Sequence, residues 1–122
     1  MPDRFSPADL ELLRTAREVR VVTGKQRHRT IIWVVVDDQG RVLVRSVRGA
    51  RGRWYREAVA EPSVALEVGA RLIPVRVELA GDADRIEAAS QALRTKYARS
   101  RGSLAAMLVD EILPTTLELL PR

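Results

Sequence analysis

The chain has no cysteine among its 122 residues. That excludes a disulfide framework, a thiolate zinc site and a cysteine nucleophile together. There is one histidine, His28, set in a polar basic link between Arg27 and Arg29, and it is read as a solvated loop residue with no matched carboxylate, so no catalytic triad is expected. Aromatic residues are scarce, two Trp, two Tyr and one Phe, so the core must be built from Val, Leu, Ile and Ala. No apolar run exceeds six residues, the length of Ile31 to Val36, against the roughly 20 needed to span a bilayer as a helix. The chain begins Met1-Pro2-Asp3-Arg4 without an apolar leader, so a cytoplasmic protein with no membrane partner is expected. Walker and Gly-x-Gly-x-x-Gly signatures are missing, and the carboxylates lie at helix starts and on solvent faces, so no metal site is expected.

What the sequence does have is a polarised charge distribution. Between Arg20 and Arg56 lie ten basic residues and two acids, Asp37 and Asp38, a surplus of eight; the rest of the chain holds eleven basic residues against fourteen acids. The formal net charge of +5 therefore hides a basic pole, which suits an anionic ligand. A composition 46% hydrophobic and 30% charged is that of one globular domain over residues 1–122.

Periodicity places the elements. Ser6-Pro7-Ala8-Asp9 reads as a helix start, with Leu10, Leu13 and Ala16 as its apolar stripe. Strands are expected at Val19–Thr23, Thr30–Val36 and Arg41–Ser46, the last two joined by a turn at Asp37-Asp38-Gln39-Gly40. A short helix follows from Arg53 to Ala60, and then a hairpin of Val64–Val68 and Arg71–Leu79, in which Pro74 argues for an edge position. Asp84 with Glu87 predicts a capped helix running to Tyr97. Ser103 would cap a last helix to about Ile112, and Thr115–Leu120 closes the chain as a strand. The fold class is thus mainly β (α+β), with six antiparallel strands and peripheral helices; closing so small a sheet into a barrel removes its exposed edges. In the third strand Val42 and Val44 share one face, while Leu43 and Arg45 share the other, so Arg45 needs a partner.

Two basic segments carry the candidate chemistry. Residues 24–30 join two strands, and residues 45–53 follow the next one; pairing should bring them together. Glycines, hydroxyls and guanidinium groups form a set suited to an oxyanion, and Trp54-Tyr55 stands beside it as either a stacking platform or a lock for the loop. Nucleic acid is not expected as a partner, because only that aromatic pair interleaves with the basic residues. Trp33, in the strongest strand, is read as core or subunit interface.

The run Val22-Thr23-Gly24-Lys25, then Trp33-Val34-Val35-Val36, Val44-Arg45-Ser46, Arg53-Trp54-Tyr55-Arg56, Lys96-Tyr97 and Thr116-Leu117-Glu118-Leu119-Leu120-Pro121 resembles the domain of unknown function 2255 family over nearly the whole chain. That family belongs with the FMN-binding split-barrel, pyridoxamine phosphate oxidase-like proteins. A second likeness is to deazaflavin (F420)-dependent nitroreductases. The resemblance implies a six-stranded split β-barrel, a homodimer, and FMN or coenzyme F420 as cofactor of an oxidoreductase. It also implies that Lys25, Arg27 and Arg29 of the first loop and Ser46, Arg48 and Trp54 of the second bind the cofactor, all but Trp54 around its phosphate. The catalytic residue is left unassigned, with Tyr55 or Tyr97 a proton donor on residue type alone. The alternative is a non-enzymatic split-barrel binding protein, either without a cofactor or binding nucleic acid or another anion through its basic pole.

Overall fold

A computed structural model describes residues 4–122; Met1, Pro2 and Asp3, on which the reading of the leader partly rests, lie outside the described residues. Helix α1 (Pro7–Thr15) starts as expected, the Ser6 hydroxyl accepting from the Asp9 amide at 3.1 Å, and buries Leu13 completely. Seven strands follow: β1 (Val19–Thr23), β2 (His28–Ile32), β3 (Val35–Val36), β4 (Val42–Val44), β5 (Ser63–Val68), β6 (Arg71–Leu79) and β7 (Leu117–Pro121). Between them lie α2 (Arg53–Ala60), α3 (Ala83–Lys96) and α4 (Arg101–Met107).

The strands form one antiparallel sheet in the order β2-β1-β5-β6-β7-β4-β3. β2 and β3 stand at opposite ends of that order, yet only Trp33 and Val34 separate them. The three Cα steps from Ile32 to Val35 span at most about 11 Å, so the sheet must roll until its ends come close, which makes a split barrel. The sequence predicts six strands because Ile31–Val36 reads as one apolar run. It is divided because the backbone at Val34 leaves the ladder and finds side chains instead: its carbonyl accepts from Lys96 Nζ at 2.7 Å and from the Tyr97 hydroxyl at 3.3 Å. Periodicity reports burial and not the partner of each carbonyl.

Other boundaries also moved. Pro74 lies on β6, which pairs on both sides and is not an edge. The Pro74 carbonyl accepts from the Arg122 amide, which puts its missing N–H on the β7 side, where that strand has run out; proline is tolerated there for that reason. Asp82, not Asp84, caps α3, accepting from the Arg85 amide at 3.1 Å. α4 is shorter than expected, and a 3-10 segment at Asp110–Thr115 carries the chain to β7.

Two cores result. Inside the barrel, Val21, Val42, Val44, Leu66, Val75 and Leu119 pack with Leu13 of α1 and with Trp54 and Ala58 of α2. On the outer face of β3 and β4, Val35 and Leu43 pack with Ala89 and Leu93 of α3 and with Tyr97 and Met107. The alternation expected along β4 is therefore observed, with Val42 and Val44 inside and Leu43 outside. Burying each such aliphatic side chain is worth about 1.5–3 kcal/mol. Arg85 fastens α3 to the sheet, bonding Glu118 on β7 and Glu78 on β6.

Candidate functional site

The outer edge of β2 has no neighbouring strand, and a cleft of about 670 Å³ runs along it. One wall is β2 itself, Thr30 to Ile32, continuing into Trp33. The second is the segment from Arg45 to Arg48 with Gly52, Arg53 and Trp54 at the start of α2, and the third is Ser103, Ala106 and Met107 of α4. Glu18 is the single acid of the lining, against Arg45, Arg48 and Arg53. The cleft is thus apolar and aromatic over much of its wall and positive at the loop.

Local chemistry shapes that loop. The Ser46 hydroxyl donates to the Gly49 carbonyl at 2.8 Å, the Gly49 amide closes a turn onto the Ser46 carbonyl, and Gly49 takes φ +64°. Gly52 is needed for space: a Cβ there would lie 2.7 Å from Ser46 Oγ. Ser46 is buried, so its hydroxyl holds the loop closed. Trp54 is 7% exposed and meets Tyr55 edge to face at 6.2 Å. It belongs to the barrel core and lines the cleft wall together.

Arg45 finds partners, but no carboxylate among them. Its Nε donates to Thr116 Oγ1 at 2.9 Å, and its two terminal nitrogens donate to Ser90 Oγ (3.1 Å), the Met107 carbonyl (3.0 Å) and the Ile86 carbonyl (3.0 Å). It thereby ties β4 to α3, to the end of α4 and to the entry of β7.

The first basic loop is placed differently. β2 begins at His28, so the loop is only Gly24–Arg27, a tight hairpin with positive φ at Gly24 and Arg27. Lys25, Arg27 and Arg29 are not part of the cleft lining, and Arg29 Nε donates to Glu67 on β5 at 3.0 Å. Ser46, Arg48 and Trp54 are brought together in the cleft wall; the two groups of three are not brought onto one another.

His28 corrects the expectation of a partnerless ring. Its Nδ1 lies 2.9 Å from Glu57 Oε2, and Glu57 Oε1 accepts from the Thr23 hydroxyl at 2.8 Å. That hydroxyl first, and His28 second, hold the Glu57 carboxyl below the usual carboxylate range. A Cβ at Gly24 would meet this carboxylate at 3.0 Å. Glu57 lies outside the basic stretch in sequence, and only its place one helical turn beyond Arg53 could have signalled it. Tyr97 is also corrected as a proton donor. It is fully buried, burial pushes its hydroxyl up to about 12, and it donates to the Arg17 carbonyl at 2.7 Å. Trp33 stacks flat on it, centroids 3.8 Å apart. Burial, with Arg17 nearby, lowers Lys96 to about 8.

A larger groove of about 780 Å³ lies over the β3–β4 hairpin and α3. Its one paired arginine is bonded internally, Arg41 bonding Asp37 at 2.6 Å and Asp84 at 3.0 Å, and its lining carries four acids against three basic residues, so for an anion the smaller cleft is the better candidate. Among the described residues no cluster of His, Cys, Asp and Glu could hold a metal, and no helix is long and apolar enough to cross a membrane.

Solved structures share this fold at low identity. An FAD-binding protein from Mesorhizobium loti superposes with a TM-score of 0.67 at 14% identity, over 97% of this chain and 89% of that one. The heme storage protein HutZ from Vibrio cholerae gives 0.60 at 14%, over 98% and 91%. An F420-H2 dependent reductase gives 0.56 at 14%, over 85% and 93%. At such identities the likeness is one of fold. No curated protein matches the chain in sequence. Residues 9–119 match a family model described as uncharacterized protein conserved in bacteria, and the chain belongs to that family, DUF2255.

Proposed function

We propose that the cleft beside β2 binds a phosphorylated flavin or deazaflavin, FMN or F420, and that the protein is a cytoplasmic, homodimeric oxidoreductase. The observation that carries this reading is the join, in one cleft, of an aromatic and aliphatic wall (Ile32, Trp33, Trp54, Met107) to three arginines at its loop end. A ring system suits the first and a phosphate the second. The volume falls in the range of about 300–1,000 Å³ common for small-molecule sites. Arg48 and Arg53 would take the phosphate, with Ser46 fixing the loop that presents them; Lys25 and Arg27, on the exposed hairpin tip, would act through long-range potential.

Bound there, the cofactor would supply hydride chemistry, leaving the chain to bind, orient and exclude water. The three neighbours differ in what their names record, FAD, F420-H2 and heme. Among the described residues the cleft lining holds no His, Cys or Tyr, and Met107 is its one side chain of a type that ligates haem iron, whereas three arginines beside an aromatic wall suit a phosphorylated flavin. Ile31 and Val47 stand at the rim 56% and 54% exposed. Such apolar side chains would be covered by a second copy, which supports the homodimer.

The test is the visible absorbance of purified protein, followed by titration with FMN, F420 and riboflavin monitored by fluorescence. Arg48→Ala should weaken FMN about tenfold, roughly 1.4 kcal/mol, leave riboflavin unchanged, and exceed the effect of Arg27→Ala. Failure of both cofactors to bind below about 1 mM, roughly 4 kcal/mol, would defeat the reading.

A further inference from the structure

Arg45 is 2% exposed and forms part of the cleft wall. Among the described residues no carboxylate stands within ion-pair distance of it. Its four hydrogen bonds all go to neutral oxygens. Beyond its own burial, the charges that influence it are Arg94 first, which opposes its protonated form, and Glu87 second, which favours it; these two pair with each other at 3.8 Å. An arginine keeps its proton even so, so the fold encloses a cation with no directly paired carboxylate among the described residues.

Tying β4 to α3, α4 and β7 requires donors, and does not require a charge. Burying an ion without a counter-ion is unfavourable, and the wall in which this one sits is also a wall of the cleft. The field of a desolvated cation is weakly screened. Arg48 and Arg53, on the solvent side of the same cleft, are screened by salt.

We propose that Arg45 is a specificity-determining charge of the cleft, and that its counter-ion is an oxyanion of the ligand, of the phosphate class, seated between the Ser46–Gly52 loop and α4. The assignment rests on the reading of the cleft as the ligand site. It makes the preference for a phosphorylated ligand a property of the buried wall as well as of the exposed arginines.

The two kinds of arginine separate by their response to salt. Pyrophosphate binding is measured calorimetrically at 50 and 500 mM KCl, roughly threefold apart in Debye length, for the wild type, Arg45→Gln, Arg45→Lys and Arg48→Gln. Arg48→Gln should lose affinity at low salt and little more at high salt. Arg45→Gln should lose about tenfold at both, and Arg45→Lys, which keeps the charge without the fork, should stay within about threefold of wild type. Equal losses for Arg45→Lys and Arg45→Gln would make Arg45 a structural tie and overturn the proposal, as would wild-type binding by Arg45→Gln. Should Arg45→Gln not fold, the Arg45 Nε–H resonance of the wild type decides. A shift of that resonance on titration with pyrophosphate at 500 mM KCl supports the proposal, and its constancy at saturation overturns it. FMN and riboflavin binding equally, with no pyrophosphate binding, would sink this inference and leave the cleft as a flavin site. Binding of none of the three would remove both.

Discussion

The hairpin Gly24–Arg27 with its flanks and the segment Arg45–Arg53 are nearly twins in composition, each rich in arginine and punctuated by glycine, and they do different work. In the first, acids from elsewhere arrive to meet the polar side chains: Glu57 under Gly24 and beside His28, and Glu67 against Arg29. In the second, no arginine forms an ion pair among the described residues: Arg48 and Arg53 line the cleft with Glu18 as its one acid, Arg51 is exposed outside that lining, and Arg45 lies buried against neutral oxygens. A run of positive charge in sequence is therefore not yet a site. What separates a site from a solvated or paired stretch is whether the fold brings carboxylates to it, and those carboxylates are far away in sequence.

The difference can be broken by substitution. Gly24→Ala places a side chain at φ +74° against the Glu57 carboxylate; a cost of about 2 kcal/mol is expected in urea unfolding, with FMN affinity unchanged within twofold. Gly52→Ala, at an ordinary φ of −62°, displaces Ser46 Oγ and should cost less stability, about 1 kcal/mol, while weakening FMN about tenfold. Similar effects of both on binding would erase the division between the loops. Glu57→Gln sharpens it through pH. Because the Glu57 carboxyl is held low in the folded protein, its contribution is present above the ordinary carboxylate range and lost as pH falls through the lowered value. The variant should be less stable at pH 7 by about 1 kcal/mol and should converge with wild type on acidification; a constant gap down to pH 2.5 would count against the ionised bond. The smallest effect belongs to Arg29→Ala, an exposed pair with Glu67, below about 0.5 kcal/mol in a denaturant melt.

Much of this was legible in the sequence because strands report themselves by burial. Val42, Leu43 and Val44 alternate between two cores as their side chains require, and the Ser6 cap and the turn at Gly40 are where their chemistry puts them. Which strand pairs with which was not legible. Trp33-Val34 is as apolar as its neighbours, and what takes it out of the ladder is a lysine and a tyrosine more than sixty residues away. The site was half legible for the same reason. Ser46, Arg48 and Trp54 are local to one loop and came out together. The expectation that the first loop would join them depended on where β2 begins, and His28 belongs to the strand because Glu57, on another element, secures it.

The position of β7 in the sheet has a consequence in time. It is the last strand in the chain, yet it lies between β6 and β4, with Leu119 opposite both Val77 and Val42. Before it docks, the hairpins β1–β2 and β5–β6 can form on local contacts, while β3 and β4 have no ladder to the rest of the sheet. Pairings of such long sequence separation are slow to form. The residues just before β7, Thr115 and Thr116, also supply the partners of Ser46 and Arg45. Docking of β7 thus joins the two parts of the sheet and supplies the bonds that hold Arg45 and Ser46 in the cleft wall, so the barrel and that wall depend on the same strand.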